Sequence, residues 1–97
     1  MLILQTLARG KPLHGFEIAE SIEQTSADVL QLQEGSLYPA LQRMLVKGWI
    51  ACDWGKTAEN RRARYYRTTP QGLAHLEQEL AKYKRVARAI ARILAPA

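Results

Sequence analysis

The apolar residues of the chain recur with helical spacing in four stretches, which glycine and proline separate. The first stretch runs from Leu2 to Ala8 and ends before a Gly-Lys-Pro sequence. The second stretch, from His14 to about Gln24, has an apolar side and an acidic outer side. We therefore predict two short helices, followed by a loop over 25–34 that includes a short extended piece at 29–32.

A third helix is predicted from Ser36 to Lys47. Ser36 is the expected N-cap, which puts Pro39 at the third helical position, where a missing N–H costs no intrahelical hydrogen bond. Gly48 ends the helix. Four apolar side chains form its core face, namely Leu37, Leu41, Met44 and Leu45. The outer face and its margins are polar and mildly basic and carry Tyr38, Pro39, Gln42, Arg43, Val46 and Lys47.

Two runs rich in aromatic and β-branched residues follow at 49–54 and 64–69. They predict an antiparallel hairpin with a long tip over 55–63. The hairpin is basic, because its tip and second strand carry Lys56, Arg61, Arg62, Arg64 and Arg67. Tyr65 and Tyr66 are neighbours in the second strand, so they must face opposite sides of the hairpin.

From Thr69 onward the period changes to that of a long helix. Thr69 is the expected cap and Pro70 the first helical residue. A helix that runs to Ala95 would be about 40 Å long, which is more than the rest of one domain can cover. Its apolar residues form an uninterrupted heptad seam that consists of Leu73, Leu76, Leu80, Tyr83, Ala87, Ile90 and Leu94. We expect this seam to pair with a second copy of the chain.

The charge of the chain is unevenly distributed, although the formal net charge of its 97 residues is only +5. Residues 1–60 carry five basic and seven acidic side chains, whereas residues 61–97 carry nine basic and two acidic ones. This split indicates a localised basic surface that faces a polyanion or an anionic membrane. The chain has no apolar run long enough for a membrane span, and its lone Cys52 fits a reducing compartment. We therefore expect a soluble, cytoplasmic protein without a membrane partner.

The residues argue against catalysis and against a metal or other cofactor. His14 and His75 have no cysteine or carboxylate at ligand spacing, and Ser36 has no orienting acid or oxyanion motif. Trp49 and Trp54 are expected as core or sheet-packing aromatics. The alternative is that one of them lines an aromatic effector pocket at a dimer interface.

Three helices, a basic hairpin and a long closing helix are the order of a winged helix-turn-helix domain. We expect this domain over 1–69, continuous with a C-terminal dimerisation helix over 70–97. In such a domain the third helix reads base edges in the major groove, while the hairpin places cations on phosphates or in the minor groove.

Four segments of the chain closely resemble the PadR family of bacterial transcriptional regulators. They are Leu13-His14-Gly15-Phe16-Glu17-Ile18, Glu34-Gly35-Ser36-Leu37-Tyr38-Pro39-Ala40-Leu41, Gly48-Trp49-Ile50, and Asn60-Arg61-Arg62-Ala63-Arg64-Tyr65-Tyr66-Arg67-Thr68-Thr69-Pro70-Gln71-Gly72. The resemblance covers nearly the whole chain. It implies a winged-helix domain, operator binding as a homodimer, usually repression, and often a response to phenolic acids or other aromatic, hydrophobic compounds. The chain departs from the family at Leu45 and Val46, where members usually have polar residues, and it lacks the residues that members usually carry before the first helix.

The predicted DNA contacts lie on the third helix and on the hairpin. Ser36 and Tyr38 are expected at phosphates, and Gln42 and Arg43 at base edges, because glutamine suits adenine and arginine suits guanine. Val46 either touches a thymine methyl group or packs on a neighbouring element. The full predicted set is Ser36, Tyr38, Pro39, Gln42, Arg43, Lys47, Asn60, Arg61, Arg62, Arg64 and Tyr66.

These observations predict a repressor that binds a palindromic operator in double-stranded DNA as a homodimer and responds to a small aromatic effector. The alternative is a winged-helix module that binds a ligand or another protein and has no specific affinity for DNA.

Overall fold

The structure, a computed structural model, describes residues 1–32 and 34–96. This part of the chain forms four α-helices and a three-stranded antiparallel sheet. In chain order the elements are α1 (Leu2–Ala8), β1 (Leu13–His14), α2 (Gly15–Thr25), α3 (Glu34–Lys47), β2 (Ile50–Lys56), β3 (Arg62–Thr68) and α4 (Pro70–Leu94). The predicted fold class, mainly helical with a small β hairpin and a long last helix, is confirmed.

One apolar core joins the helices to the hairpin. In the described part of the chain its buried side chains are Ile3, Leu4, Leu7, Ile18, Ile22, Leu37, Leu41, Ile50, Tyr66 and Leu76. The predicted core face of α3 is confirmed, because Leu37 and Leu41 are buried and Met44 and Leu45 pack at the edge of the core.

His14 caps α2 instead of forming its first residue. The His14 Nδ1 atom accepts a hydrogen bond from the Glu17 N–H at 3.3 Å, and Glu17 Oε1 accepts one from the His14 N–H at 3.1 Å. This reciprocal capping box satisfies two N–H groups and fixes where α2 begins.

The sheet contains a strand that the sequence pattern does not predict. β1 consists of two residues, with Leu13 opposite Tyr66 and His14 opposite Tyr65, so that β3 lies between β1 and β2. The extended piece predicted at 29–32 is wrong, because the described chain forms turns and bends over 26–30 and no strand follows them through residue 32. Ala27 and Asp28 take left-handed backbone conformations there and turn the chain away from α2.

The third helix starts earlier than predicted. α3 begins at Glu34, which makes Ser36 its third residue and makes the N-cap prediction for Ser36 wrong. Pro39 consequently lies inside the helix, where its missing N–H leaves the Gly35 carbonyl without an intrahelical donor. Serine is tolerated in a first helical turn, so its presence does not prevent the helix from starting before it.

The hairpin formed by β2 and β3, which we call the wing, has a shorter tip than predicted. Gly55 pairs with Ala63 and Lys56 pairs with Arg62, so the turn spans only residues 57–61. Gly55 is required in this arrangement, because a Cβ atom on it would lie 2.8 Å from the Tyr65 ring. The ladder therefore extends two residues further along each strand than the sequence pattern indicates.

α4 begins and ends within one residue of the predicted bounds, and Thr69 caps it as predicted. Its 25 residues correspond to about 38 Å of helix, and the molecule measures 58 Å along its longest axis. The radius of gyration is 15.6 Å, against about 13 Å for a compact domain of similar length. The far half of α4 therefore projects beyond the core of its own chain.

None of the helices in the described ranges is both long enough and apolar enough to cross a membrane.

Candidate nucleic-acid interface

The outer face of α3 is open to solvent in a single chain. Gln42 and Arg43 are exposed, as are Ser36 and Pro39. Val46 is 78% exposed, so it does not pack on another element of its own chain. The face predicted to read base edges is thus free of contacts that would block a duplex.

Lys47, at the end of α3, is exposed and lies beside an aromatic ring. Its Nζ atom lies 4.7 Å from the ring centroid of Trp49, within range of a cation–π contact. On its other side Trp49 stacks on His75 of α4, with ring centroids 3.6 Å apart. Trp49 is therefore a packing aromatic that ties α3 to α4, as the first of the two interpretations predicted.

The wing divides its arginines between two faces. Because side chains alternate along a strand, Arg62, Arg64 and Tyr66 share one face of β3, whereas Arg67 lies on the other. Arg67 is occupied there by an ion pair with Asp53, whose carboxylate oxygen is 3.4 Å from the Arg67 Nε atom. The prediction of one continuous basic strand must be corrected to a basic face that ends at Arg64.

Trp54 is also on the face of Arg62 and Arg64, and it is not a core residue. It is 57% exposed, and the guanidinium carbons of Arg62 and Arg64 lie 4.5 and 5.1 Å from its ring centroid. The expectation that both tryptophans are core or sheet-packing aromatics is wrong for Trp54, because the wing extends beyond the core at this point.

The tip of the wing is a tight turn that exposes Arg61. The Thr57 N–H donates to the Arg61 carbonyl at 2.8 Å, and the Asn60 N–H donates to the Thr57 carbonyl at 2.9 Å. Asn60 takes a left-handed conformation with φ at 63°, which asparagine tolerates better than most residues. Asn60 thus has a clear local function in shaping the turn that presents Arg61.

α3 and the wing face each other across a cleft of about 390 Å³. Tyr38 lies on the α3 side, and Trp54, Arg62 and Arg64 lie on the wing side. The Tyr38 ring packs on Gly15, where a Cβ atom would lie 3.0 Å from the Tyr38 hydroxyl, so the glycine lets this ring lie against the start of α2. The cleft thus brings together four residues of the predicted set, namely Tyr38, Arg62, Arg64 and Tyr66, whereas Gln42 and Arg43 do not line it.

Tyr66 forms the floor of this cleft and is not a surface residue. It is 5% exposed, so little of its side chain is available for the DNA contact predicted for it. Burial raises the pKa of the Tyr66 phenol, and the neighbouring Arg64 guanidinium opposes this shift only in part. The side chain that faces away from the core is Tyr65, whose hydroxyl donates to the Lys56 carbonyl at 3.0 Å.

The cleft also contains residues that sequence reasoning missed. Phe16, at the start of α2, is 66% exposed, and His14 lies beside it. Phe16 is an apolar residue on the polar side of a predicted helix, and this position is the signal from which the sequence could have identified it. Among the described residues no group of three or more histidine, cysteine or carboxylate side chains is placed to hold a metal ion.

The fold and this surface define the class of the protein as a winged helix-turn-helix with an exposed third helix and a cationic wing. Comparison with known proteins narrows the class to a family. The sequence profile of the transcriptional regulator PadR-like family matches residues 3–78.

The relatives include solved structures and sequences. A transcriptional regulator from Clostridium thermocellum is 26% identical, with a TM-score of 0.86 over 97% of this chain and 90% of that chain. A 37.1 kDa protein in a transposon of Streptomyces fradiae is 42% identical over a segment that covers 81% of this chain and 21% of that protein. Bacillus subtilis PadR in complex with operator DNA is 22% identical, with a TM-score of 0.71 over 81% of this chain and 44% of that chain.

The chain belongs to the transcriptional regulator PadR-like family, since the match covers most of its length. The members of this family are transcriptional regulators and not enzymes, which confirms the prediction that the chain is not a catalyst.

Proposed function

We propose that the chain is a sequence-specific DNA-binding repressor that acts as a homodimer on a palindromic operator and is released by a small aromatic or hydrophobic effector. One observation carries the proposal: Tyr38, at the margin of the exposed outer face of α3, lines the same cleft as Arg62 and Arg64 of the wing. The similarity to a PadR protein solved with operator DNA supports the DNA-binding part of the proposal.

Each part of this surface has its own expected contact. Gln42 and Arg43 are exposed on α3, and their side chains are of the types that pair with adenine and guanine edges in a major groove. Ser36 and Tyr38 near the start of α3, and Arg61, Arg62 and Arg64 on the wing, supply donors for phosphates or for the minor groove. Three further residues of the predicted set are exposed, namely Pro39, Lys47 and Asn60, whereas the remaining one, Tyr66, is buried.

The homodimer explains why α4 leaves apolar residues uncovered. Tyr83, Ile90 and Leu94 on the predicted seam are 57%, 50% and 77% exposed in the single chain. A second copy packed along this seam would bury them and relate two copies of α3 by two-fold symmetry. A symmetric protein pairs with a palindromic operator whose half-sites lie about one helical turn apart.

A binding-site selection from random duplexes, followed by titration of the selected duplex at several salt concentrations, tests the proposal. We expect one enriched palindrome and an affinity that falls steeply with salt. Arg61→Ala with Arg62→Ala should weaken binding to all duplexes and reduce the salt slope by about two units, because each phosphate contact contributes about one. Gln42→Ala should change the selected sequence while leaving the slope as it is.

Two results would overturn the assignment of roles. A Gln42→Ala protein that selects the same sequence as the natural protein removes Gln42 as a base reader. An affinity that does not change with salt removes the electrostatic part. Repeating the selection with aromatic compounds present tests release by an effector, for which an unchanged yield of bound duplex is the contrary result.

The second candidate is a winged-helix module that binds another protein and has no specific affinity for DNA. Val46 favours it, because an apolar side chain that is 78% exposed on α3 suits a protein surface as well as a thymine methyl group. Absence of any enriched duplex in the selection, together with a purified dimer, would favour this candidate.

A further inference from the structure

Trp54 is a large aromatic side chain in the wing whose ring contacts are charged. It lies in β2 directly opposite Arg64. Arg62 is its diagonal neighbour on β3, and all three side chains are on the face that lines the cleft. Trp54 is not among the described residues that pack against the core, and it remains 57% exposed. Its contacts are instead the two guanidinium groups that lie over its ring.

The geometry leaves the arginines able to bind a second partner. Both guanidinium carbons lie within the range of about 6 Å over which a cation is attracted to an aromatic face. A guanidinium that stacks uses its flat face, so the N–H donors in its plane remain free for phosphate oxygens. The ring also holds two like charges side by side on one strand face, an arrangement that their mutual repulsion opposes.

The other arginine of β3 provides a contrast within the same strand. Arg67 is paired with the Asp53 carboxylate, which lies 3.4 Å from its Nε atom, so a negative group offsets part of its charge and engages one of its donors. Arg62 and Arg64 are fixed by a neutral ring and keep their full positive charge. They face Tyr38 of α3 across the cleft.

We propose that Trp54 is a positioning residue, which holds Arg62 and Arg64 in place before DNA arrives so that the wing contacts phosphates without first ordering two long side chains. This inference rests on the proposed function, because it assumes that these arginines bind DNA. The gain is entropic, since immobilising a long side chain on binding costs free energy that a preordered side chain does not lose again.

A comparison of Trp54→Tyr with Trp54→Leu tests the inference on the selected duplex. Tyrosine keeps an aromatic face for the guanidinium groups, whereas leucine keeps only apolar volume. We expect Trp54→Leu to raise the Kd about tenfold, equivalent to about 1.4 kcal/mol, and Trp54→Tyr to retain most of the affinity. The salt slope should stay near that of the natural protein, because both arginines are still present to contact phosphates.

A double-mutant cycle separates positioning from a general effect on the wing. In a protein that already carries Arg62→Ala and Arg64→Ala, Trp54→Leu should change the Kd by less than about twofold. An equal loss with and without the arginines would overturn the inference. So would a Trp54→Leu protein that binds as tightly as the natural one. If Trp54→Leu does not fold, Trp54→Gln repeats the test with a polar side chain at this exposed position.

A measurement without DNA distinguishes failure of the inference from failure of the proposed function. In NMR spectra of the free protein, the side-chain protons of Arg62 and Arg64 should show upfield ring-current shifts in the natural protein and in Trp54→Tyr, but not in Trp54→Leu. Absence of these shifts in the natural protein overturns the positioning by Trp54. If the natural protein shows these shifts but binds no duplex, the proposed function is wrong. The contact of Trp54 with the arginines would then exist without a function in DNA binding.

Discussion

At the scale of single residues, Tyr66 links the core to the candidate interface. It lies between Leu13 of β1 and Cys52 of β2 in the sheet, and its ring is buried while it borders the cleft. Burial disfavours the charged phenolate, so the pKa of Tyr66 is higher in the folded chain than in the unfolded chain.

The raised pKa of Tyr66 predicts a loss of stability at alkaline pH. Below about pH 10 the phenol is protonated in both states, and its ionisation does not affect the free energy of unfolding. Above this pH the unfolded chain loses the proton first, so the free energy of unfolding should fall as pH rises toward the folded-state pKa. Denaturant titrations between pH 8 and about 11 measure this fall.

Tyr66→Phe is the variant that isolates the effect. It keeps the buried ring and removes the ionisable hydroxyl, so its stability should decline less steeply above about pH 10 than that of the natural chain. Identical alkaline profiles for Tyr66→Phe and the natural chain would contradict the prediction.

Residue-scale prediction from sequence succeeded where periodicity decides and failed where three-dimensional neighbours decide. Alternation along β3 requires that Tyr65 and Tyr66 face opposite sides, and they do. It does not say which of them faces inward, because that choice depends on pairing with β1, which lies about fifty residues earlier in the chain. The exposure of Trp54 could not be predicted for a similar reason. How far the core extends along the wing depends on the other elements that pack against it, and the sequence of the wing does not show this.

At the scale of elements, the junction between α3 and α4 fixes where the long helix leaves the domain. The Thr69 hydroxyl donates to the Gly48 carbonyl at 2.6 Å and accepts from the Gly72 N–H at 3.0 Å. The Thr69 N–H donates to the Trp49 carbonyl at 3.1 Å. These bonds join the cap of α4 to the end of α3, so the orientation of α4 depends on close backbone contact.

Gly72→Ala should break this contact and destabilise the fold. A Cβ atom at Gly72 would overlap the Trp49 carbonyl oxygen and lie 2.8 Å from its carbonyl carbon, and the backbone cannot yield as a side chain would. We expect a loss of about 2 kcal/mol or more, which corresponds to a fall in Tm of roughly 10 °C. Thermal unfolding followed by circular dichroism measures it.

Gly35→Ala is the matched control, because Gly35 also lies in the first turn of a helix and a Cβ atom on it would meet nothing within 4 Å. Alanine favours a helix over glycine by about 1 kcal/mol, so this variant should be as stable as the natural chain or more stable. Equal melting temperatures for the Gly72→Ala and Gly35→Ala proteins would show that the junction adapts to the added methyl group.

Helices were easier to predict than strands and boundaries. The apolar period placed α1, α3 and α4 because each buries one stripe along its own length. β1 has only two residues and exists through pairing with β3, so no local pattern marks it. Ser36 was chosen as the start of α3 from its capping propensity, but propensity decides a helix end only when the preceding residues disfavour the helix.

At the scale of the whole molecule, the charge and the shape of the chain have separate origins. α2 carries three acidic side chains, whereas most of the positive charge lies on the wing and on the far half of α4. The wing supplies most of the positive charge at the candidate interface. The elongated shape arises from α4, whose apolar seam lies beyond the core that the other elements form.

The unpaired half of α4 predicts that the chain is a dimer in solution. Ile90 lies in the middle of the uncovered part of the seam and is 50% exposed in one chain. If a second copy buries it, Ile90→Glu introduces a charge into an apolar interface, where burial without a partner is strongly unfavourable. Sedimentation velocity at micromolar concentration should show a dimer for the natural chain and a monomer for Ile90→Glu, with a dimer Kd that is at least about 100-fold weaker.

Ala81→Glu makes the comparison specific to the seam. Ala81 is exposed on the opposite side of α4, one turn from Lys84 and Arg85, so glutamate there gains favourable charge pairs and leaves the seam intact. This variant should remain dimeric and should keep its affinity for a palindromic duplex, whereas Ile90→Glu should lose affinity because each half-site is then bound alone. A natural chain that sediments as a monomer, or an Ile90→Glu protein that dimerises as well as Ala81→Glu, would assign the exposed seam to a partner other than a second copy.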